Sequence, residues 1–451
     1  MRIHLIGIGG IGISALAQYY LVNGHKISGS DLTNSKIIEK LKRDGAEIEV
    51  GFQQAEHIPE TVDRVIYSLA ISENNSELKK AKQLQEVSPQ LEILSYPQAL
   101  GELTKEHFTI AVSGTHGKST TTAMLALILI EAGFDPTVFL GTKLSEFGGT
   151  NFRKGESQYL LIEADEYKAA FLNYSPQIIV LTNIEKDHLD FYKDINQIIE
   201  TFKQYVNLLP ESGSLIYNQK DKNIERLRKE RGEKTKKEIG FSLDQEIVQD
   251  LKKVLKVPGE YNVENALAAV DAADVLKIPR EISLRALSRY RGAWRRFEKK
   301  RVKIGEQSLT LINDFAHHPT ELKAFLGAVK ESAFPGQKIW VVFQPHQNQR
   351  TLYLQEDFIQ VIGTLARLDS PCFHELIITD IYDVPGREKK EIKQKINAQK
   401  LIEAINETSV VYLPLNKVKK YLKAKIKDND ILAIVGAGDI YQWGQDNFIE
   451  D

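Results

Sequence analysis

Two glycine-rich loops hold the residues of this 451-residue chain that are best placed to do chemistry. The first runs from Gly7 to Gly12 in the spacing G-x-G-x-x-G, between a short apolar run and a helical pattern, and Asp31 ends the next apolar run. Backbone N–H groups and a helix N-terminus in such a loop can approach a diphosphate, while the acid can reach a ribose hydroxyl. The loop therefore predicts a nucleotide-diphosphate site, and an NAD-dependent oxidoreductase is one protein class that would use it.

The second loop, Ser113 to Thr120 (SGTHGKST), also lies between a predicted strand and a predicted helix. Lys118 would offer its charge to the β- and γ-phosphates of a nucleotide, and Ser119 would offer a hydroxyl to Mg²⁺. Val112 stands where the strict phosphate-loop pattern G-x-x-x-x-G-K-[ST] has its first glycine. The loop predicts a triphosphate site of a shortened type, which an oxidoreductase would leave without a task.

A carboxylate and a histidine follow later strands of the same predicted sheet. Glu163 ends one strand in the string EADEY, and His188 comes just after another in TNIEKDHLDFY. Carboxyl ends of parallel strands meet at the edge that holds the phosphate loop, so both side chains could reach a metal there. Mg²⁺ prefers oxygen ligands, which favours Glu163. From the residues alone, His188 could equally be structural or support another ligand.

Basic residues and histidines mark the region near residue 300. The stretch from Arg289 to Arg301 holds seven basic residues and one acid, Glu298, which fits either a solvated hinge or a phosphate contact. His317 and His318 precede a proline at a strand-to-helix turn. Adjacent histidines after a strand point in different directions, so this pair predicts a phosphate or substrate contact rather than a metal site.

Composition places these motifs in a multidomain globular protein. With 42% hydrophobic and 27% charged residues, 451 residues exceed what one hydrophobic core organises. The net charge of -2 argues against a nucleic-acid or membrane coat, and residues 219–238 carry interleaved acids that favour a solvated helix and loop. The single cysteine, Cys372, and the lack of a signal-peptide pattern favour the cytoplasm. The longest apolar run inside a predicted helix, Ala123 to Ile130, is too short for a membrane span.

Alternating strand and helix patterns predict three α/β units with mostly parallel sheets. The predicted strands are 3–6, 25–29 and 64–68, then 108–112, 159–163 and 177–182, then 308–313, 339–343, 375–379, 410–413 and 431–435. The predicted helices are 13–22, 36–44, 119–132 and 262–276.

Taken together, these motifs resemble the Mur ligase family along nearly the whole chain, and within it the branch that adds L-alanine. The strings occur in the order of that family: GIGGIGIS, SGSD, GTHGKSTTTAM, EADEY, TNIEKDHLD, GEYNVENALAAV, RRFE, NDFAHHPTE, FQPH, TDIYDVPGRE and GAGDIY. The resemblance implies a Rossmann-like UDP-sugar domain (1–104), a central P-loop ATPase domain (105–294) and a Rossmann-like amino-acid domain (295–451).

The resemblance also implies roles for individual residues. It implies ATP binding by Gly114, Thr115, His116, Gly117, Lys118, Ser119, Thr120, Asn262, Asn265, Arg296 and Asp314. It implies catalytic roles for Lys118, Glu163, His188, Arg296 and Asp314, with Mg²⁺ held by Ser119, Glu163 and His188. It implies UDP-sugar binding by Gly7, Gly9, Gly10, Gly12, Ser30 and Asp31, and amino-acid binding by His346 and Arg350.

The activity implied is ATP-dependent joining of L-alanine to the carboxylate of UDP-N-acetylmuramate through an acyl phosphate, by a monomer or weak homodimer. A related branch that attaches a recycled tripeptide also carries AHHPT, but FQPH with Arg350 and GAGDIY favour the alanine branch. Gln347 stands where the family commonly has a basic residue, and Phe315 stands where a tyrosine is common. We expect no ligand role for Tyr96.

Overall fold

The computed structural model describes residues 1–232, 237–367, 373–384 and 390–450, and Cys372 lies outside these ranges. Within them the chain forms three β-sheets, which confirms the predicted α/β class with mostly parallel strands. The chain divides into two compact units. The first unit comprises Met1–Ile184, Ile199–Gln245 and Asn265–Leu287, and the second comprises Glu185–Ile198, Glu246–Glu264 and Ser288–Asp451.

The first sheet is entirely parallel and has the order β3-β2-β1-β4-β5. Its strands are β1 (Arg2–Ile6), β2 (Lys26–Asp31), β3 (Glu47–Val50), β4 (Arg64–Tyr67) and β5 (Glu92–Ser95). The helices in this part of the chain are α1 (Ile11–Val22), α2 (Lys36–Arg43), α3 (Ser76–Val87) and α4 (Tyr96–Glu106). The order reverses at β1, so a crevice for ligands opens at the carboxyl end of that strand, beside Gly7 to Gly12.

The second sheet, also in the first unit, has the order β12-β11-β10-β6-β9-β7-β8, and only the β7–β8 pair is antiparallel. Its strands are β6 (Phe108–Ser113), β7 (Thr137–Leu144), β8 (Thr150–Arg153), β9 (Tyr159–Glu163), β10 (Ile178–Leu181), β11 (Ser214–Asn218) and β12 (Lys237–Phe241). The helices in this stretch of chain are α5 (Lys118–Glu131), α6 (Ile195–Val206), α7 (Lys222–Arg231), α8 (Val248–Val254), α9 (Glu260–Val275) and α10 (Arg280–Leu287).

The third sheet lies in the second unit and has the order β17-β16-β15-β18-β14-β13-β19, with β13 antiparallel to both of its neighbours. Its strands are β13 (Glu298–Ile304), β14 (Gln307–Asp314), β15 (Ile339–Phe343), β16 (Phe373–Ile378), β17 (Val410–Tyr412), β18 (Ile431–Val435) and β19 (Ile449–Glu450). Its helices are α11 (Pro319–Glu331), α12 (Asn348–Tyr353), α13 (Gln355–Arg367), α14 (Lys390–Lys395), α15 (Ala398–Ile405), α16 (Leu415–Lys425) and α17 (Ile440–Asn447).

Central strands are continuous apolar runs because helices cover both faces of each parallel sheet. Every residue of β15 (IWVVF) and β18 (ILAIV) is buried. Val341 and Phe343 pack in one core and Trp340 and Val342 in the other, one on each side of the third sheet. No helix among the described residues is long and apolar enough to cross a membrane.

The predicted strands and helices are found within a few residues of their expected bounds. The structure adds strands that the sequence patterns did not reveal: β3, β5, β7, β8, β11, β12, β13 and β19. Most of these lie toward sheet edges, where one face or one side is exposed and the apolar run is short. The solvated helix expected within residues 219–238 is α7, which has an Asp221 cap.

Helix α1, which begins in the first glycine loop, is fastened to the second sheet. The amide of buried Asn151, on β8, donates to Ile11 O and to Ser14 Oγ, and its oxygen accepts from Gln18 Nε2 at 2.9 Å. These contacts lie inside the first unit, so both glycine loops are carried by one compact body.

Gly101 on α4 tests how closely this body is packed. A methyl group there would lie 2.4 Å from the backbone oxygen of Asn173, which cannot move as a side chain could. We expect Gly101→Ala to lower the free energy of unfolding by about 1–3 kcal/mol, measured by urea unfolding of the whole chain. Gly327→Ala on α11 is the matched control, because no atom lies within 4 Å of the added methyl. Equal stability of the two variants would contradict this packing.

Candidate active site

The second glycine loop joins β6 to α5 at the point where the order of the second sheet reverses. Gly114 and Gly117 have φ values of 128° and 84°, and methyl groups there would lie 2.1 Å from Thr182 Oγ1 and 2.3 Å from Asn265 Oδ1. Helix α5 begins at Gly117 without a side-chain cap, so its first N–H groups are left to bind an anion. The loop thus has the form of a phosphate cradle, as predicted.

Residues behind the loop hold its backbone in place. The Asn183 carbonyl accepts from Thr115 N at 3.0 Å and its side chain accepts from His116 N at 2.8 Å. Thr121 donates to Asn265 Oδ1 at 3.2 Å, so Asn265 lies beside the start of α5, and its contact with a nucleotide remains a prediction. Sequence reasoning missed Asn183, although its place directly after the strand-ending threonine was a signal.

Lys118 is the charged group of this loop. Its ammonium donates to Gly114 O at 2.6 Å and Thr115 O at 3.1 Å, and forms an ion pair with Glu166 Oε2 at 2.8 Å. Burial alone would lower the pKa of Lys118, but Glu166 and Asp165 hold it above its usual range, so the side chain stays a cation. Glu166 was missed by the sequence analysis, which assigned only the first acid of EADEY.

Ser119 and Glu163 lie together beside Lys118. The Ser119 hydroxyl donates to Glu163 Oε1 at 2.9 Å, and Gly141 N donates to Glu163 Oε2 at 2.8 Å. A hydroxyl and a carboxylate presented at one point are oxygen ligands of the kind that Mg²⁺ takes. The arrangement fits the predicted metal site, and the Gly141 contact orients the carboxylate.

The first glycine loop is built from backbone contacts. Gly7 N and Ile8 N donate to Ser30 O, and Gly9 N donates to Asp31 Oδ2 at 2.9 Å. Helix α1 follows Gly10 and has no side-chain cap, as α5 has none. Two uncapped helix N-termini thus offer N–H groups to anions in the same unit.

Ser30 and Asp31, which are predicted to bind the sugar nucleotide, both make side-chain contacts within the protein. Ser30 is buried, and its hydroxyl donates to Glu77 Oε2 at 2.6 Å and accepts from Gln53 Nε2. Both bonds are to side chains of the protein, so this hydroxyl connects the first glycine loop to Glu77 and Gln53. Asp31 uses one oxygen to bind the glycine loop and therefore shapes it.

Glu77 is the centre of a buried polar network under this loop. It accepts from His57 at 2.9 Å, His4 at 3.2 Å and Ser30, and its side chain is fully buried. Burial would raise the pKa of Glu77, but these hydrogen bonds lower it, so the carboxylate stays charged. The sequence offered no signal for this network, because its members lie far apart in the chain.

In the second unit, Asp314 lies at the end of β14 with Arg296 near it. The Asp314 carboxylate accepts from Phe297 N at 2.8 Å and Ala316 N at 2.7 Å. Burial raises the pKa of Asp314 to about 6, although Arg296 and these N–H groups favour the charged form. Arg296 lies over the Phe315 ring at 5.1 Å, so the two predicted residues share one corner of the second unit.

The neighbouring Arg295 is partly buried instead of fully solvated. It lies 4.6 Å from the Phe315 ring and 5.0 Å from the Tyr441 ring, and it donates to Gly436 O at 2.8 Å. These contacts connect the segment before β13 to the loop after β18. The basic cluster is therefore structural at Arg295, which the sequence interpretation as a hinge did not anticipate.

Arg350, on α12, is held by a carboxylate that sequence reasoning missed. Its Nε and Nη2 donate to Asp187 Oδ1 at 3.0 and 2.9 Å, and Nη1 meets His346 Nδ1 at 3.1 Å. Burial would raise the pKa of Asp187, but Arg350 and nearby histidines hold it well below its usual range. Asp187 occupies one edge of the guanidinium and Nη1 also donates to His346 O at 3.3 Å, which leaves one hydrogen on each Nη for a substrate carboxylate.

His188 lies in a short segment that belongs to the second unit although it follows β10 in the chain. Its φ of 52° is unusual for a histidine, and Phe191 N donates to His188 O at 2.8 Å. His318 Nε2 contacts Lys186 O at 3.0 Å, and Gln349 donates to Leu189 O at 3.1 Å. His318 thus fastens this segment and also caps α11, and His317 points to Phe315 O.

Asn262 also lies in the second unit and donates to Pro258 O at 2.6 Å. The predicted site residues thus fall into two groups. Lys118, Ser119, Glu163 and Asn265 come together in the first unit, whereas His188, Asn262, Arg296, Asp314, His346 and Arg350 belong to the second. Their joint action remains a prediction.

Comparison with known proteins identifies the family. Three family models match in succession: "Mur ligase family, catalytic domain" over residues 2–108, "Mur ligase middle domain" over 112–273 and "Mur ligase, glutamate ligase domain" over 295–438. The chain is 40% identical to the UDP-N-acetylmuramate–L-alanine ligase of Clostridium acetobutylicum over 469 aligned positions, covering 98% of this chain and 96% of that protein. The chain therefore belongs to the Mur ligase family.

Further relatives agree. The UDP-N-acetylmuramate–L-alanine ligase of Clostridium tetani is also 40% identical and covers 98% of this chain and 97% of its own length. The solved UDP-N-acetylmuramate-alanine ligase of Thermotoga maritima superposes with a TM-score of 0.77 at 25% identity, over 99% of this chain and 98% of that one. A murein peptide ligase from Psychrobacter arcticus, with a TM-score of 0.72 at 24% identity and coverage of 99% and 98%, shows the same fold.

The raised pKa of Asp314, about 6, predicts an acid limb in the pH profile of turnover. Below that pH the carboxyl group becomes neutral and loses acceptor strength for Phe297 N and Ala316 N, which loosens the corner that carries Arg296. We expect kcat to fall as pH drops through about 6 and to be level above it, measured with saturating substrates.

Two variants test whether the acid limb belongs to Asp314 or to another carboxyl group with a raised pKa. Glu321→Gln should move the acid limb to lower pH, because the Glu321 charge helps to raise the pKa of Asp314. Asp271→Asn should leave the limb in place, although burial also raises the pKa of Asp271 to about 6. A limb that disappears in the Asp271 variant would contradict the assignment to Asp314.

Proposed function

We propose that this chain joins L-alanine to the carboxylate of UDP-N-acetylmuramate, with ATP converted to ADP and phosphate, as a step in peptidoglycan precursor synthesis. The observation that carries the proposal is the phosphate loop with Lys118, Ser119 and Glu163 in a chain whose full-length relatives are named for that reaction. An NAD-dependent oxidoreductase would leave that loop without a function.

The proposal divides the work among three domains, with boundaries near residues 104 and 294. The first sheet binds UDP-sugar at Gly7 to Gly12, where α1 begins without a side-chain cap. The second sheet binds ATP at Gly114 to Thr120. The third sheet supplies Arg296 and Asp314 to ATP, and His346 and Arg350 to the amino acid. Turnover then requires the domains to close on their substrates.

The chemistry needs activation because a carboxylate is a poor electrophile. Transfer of the γ-phosphoryl group of ATP to the sugar carboxylate gives an acyl phosphate, which the alanine amine attacks with release of phosphate. Lys118 places positive charge beside the moving phosphoryl group, and the N–H groups of α5 bind the adjacent phosphates of ATP. Bound Mg²⁺ would neutralise phosphate charge, and Ser119 and Glu163 are the residues that would hold it, with His188 as a further ligand.

The amino-acid site in this proposal is the open end of Arg350. Asp187 fixes the guanidinium along one edge, so the Nη end faces the alanine carboxylate. A small cavity beside Arg350 is partly lined by Leu189 and Leu354, which suits a small side chain. Gln347 lines the same cavity in place of a basic residue and leaves Arg350 as its cation.

The decisive experiment measures phosphate release with ATP, Mg²⁺, UDP-N-acetylmuramate and single amino acids. We expect release only when the nucleotide sugar and L-alanine are both present. Release that ignores the nucleotide sugar would contradict the ligase assignment. A preference for the recycled tripeptide over L-alanine would move the chain to the other branch of the family, represented among solved structures by the murein peptide ligase.

Lys118→Ala tests which glycine loop binds which nucleotide. Removal of the ammonium takes away the charge that balances the γ-phosphate, so we expect loss of at least about a hundredfold in kcat. UDP-N-acetylmuramate affinity, measured by calorimetry, should be retained, because Lys118 is not in the first loop. A collapse of sugar-nucleotide affinity with ATP binding intact would reverse the assignment of the two loops.

Arg350→Lys tests the amino-acid site. Lysine lacks the planar fork and cannot bind Asp187 and a substrate carboxylate in the same way, so we expect KM for L-alanine to rise about tenfold or more. KM for ATP should stay unchanged in the same assay. Arg285→Lys, at an exposed ion pair with Glu131, is the control. A rise in both KM values would indicate a general loss of structure.

A further inference from the structure

Tyr96 has no role in the function described above, and the sequence analysis expected none. It is the first residue of α4 and lies against the first glycine loop. A methyl group at Gly12 would lie 2.8 Å from Tyr96 Cζ and 2.9 Å from its hydroxyl oxygen. A larger residue at Gly12 would therefore require the Tyr96 ring to move, and the hydroxyl lies at the start of α1.

The position of Tyr96 is fixed from its own backbone. Ser95 N and Ser95 Oγ both donate to Gln98 Oε1, at 2.8 and 2.9 Å, in a capping box at the start of α4. Pro97 follows within the first turn and restricts the backbone further. The backbone that carries Tyr96 is thus fixed by the start of α4, and the ring it carries lies against Gly12.

The Tyr96 hydroxyl makes no hydrogen bond within the described part of the chain, and the ring is only partly buried. Burial, with the carboxylates of Glu163 and Asp165, raises the pKa of Tyr96, so the hydroxyl keeps its proton. The hydroxyl of such a tyrosine can donate a hydrogen bond to a bound ligand. The N–H groups of α1 beside it attract an anion.

We propose that the Tyr96 hydroxyl donates a hydrogen bond to the diphosphate of the nucleotide sugar and, with the first turn of α1, forms one anion cradle. The inference rests on the proposed function, because that function brings a UDP-sugar to the first loop. It adds a donor from α4, which follows the last strand of the first sheet. The nucleotide is then held by two elements and not by the glycine loop alone.

Tyr96→Phe keeps the ring and its packing on Gly12 and removes only the hydroxyl. We expect affinity for UDP and for UDP-N-acetylmuramate to fall by the same factor, about tenfold, because a hydrogen bond to a charged acceptor is lost. KM for ATP should not change. Calorimetry with UDP alone and with UDP-N-acetylmuramate measures the two affinities.

Tyr159→Phe is the matched control. Tyr159 is a partly buried tyrosine of the same unit at the amino end of β9, where its ring contacts Phe108 and Phe134. This variant should bind both nucleotides like the unmodified chain. Unchanged affinities in Tyr96→Phe would overturn the proposal, and so would a loss for UDP-N-acetylmuramate without one for UDP, since the hydroxyl would then bind the sugar end.

The outcome for the unmodified chain separates this inference from the function beneath it. If the unmodified chain turns over UDP-N-acetylmuramate and Tyr96→Phe binds UDP normally, the function stands and only the role of Tyr96 is wrong. If the unmodified chain binds no UDP, the nucleotide-sugar assignment fails first and the role of Tyr96 fails with it.

Discussion

The proposed nucleotide chemistry depends on one partly buried cation, Lys118, held near the carboxyl end of β6. Two carbonyl oxygens of its own loop and the Glu166 carboxylate fix the ammonium, and the glycines of the loop let the backbone come within reach. A buried ion pair is worth keeping only when its hydrogen bonds are satisfied, and here they place a positive charge where phosphates would lie. The strand order of the second sheet reverses at β6, which opens a crevice at the carboxyl end of that strand, beside the loop of Lys118.

A nearly neutral chain can handle highly charged nucleotides because its positive potential is local. Helices α1 and α5 both begin after glycines and without side-chain caps, so backbone N–H groups replace basic side chains as anion donors. The acids near these loops have separate tasks: Asp31 shapes the first loop, Glu163 faces Ser119, and Glu166 balances Lys118. Net charge argues against a nucleic-acid coat, but it carries no information about either loop.

In the second unit, side chains provide the local positive charge, and contacts within the protein position them. Arg350 is positioned by Asp187 and His346, and Arg295 by aromatic rings and the carbonyl of Gly436. In both cases the partner is distant in sequence, at Asp187 for Arg350 and Tyr441 for Arg295. The sequence analysis identified Arg350 because it follows the FQPH motif. It missed Asp187 because nothing in the sequence distinguishes this carboxylate, one residue before His188, from a surface acid.

The sequence by itself determined the α/β class, the central strands, the two glycine loops and the family, because buried parallel strands are continuous apolar runs and loops that bind phosphate require glycine at particular places. Only the tertiary structure decided which polar groups have partners within the protein. Ser30 belongs to a motif yet turns its hydroxyl inward to Glu77, whereas Tyr96, outside every motif, leaves its hydroxyl without a partner beside Gly12. The physical reason is that a hydroxyl's direction depends on neighbours brought together by packing, and residue spacing along the chain does not record them.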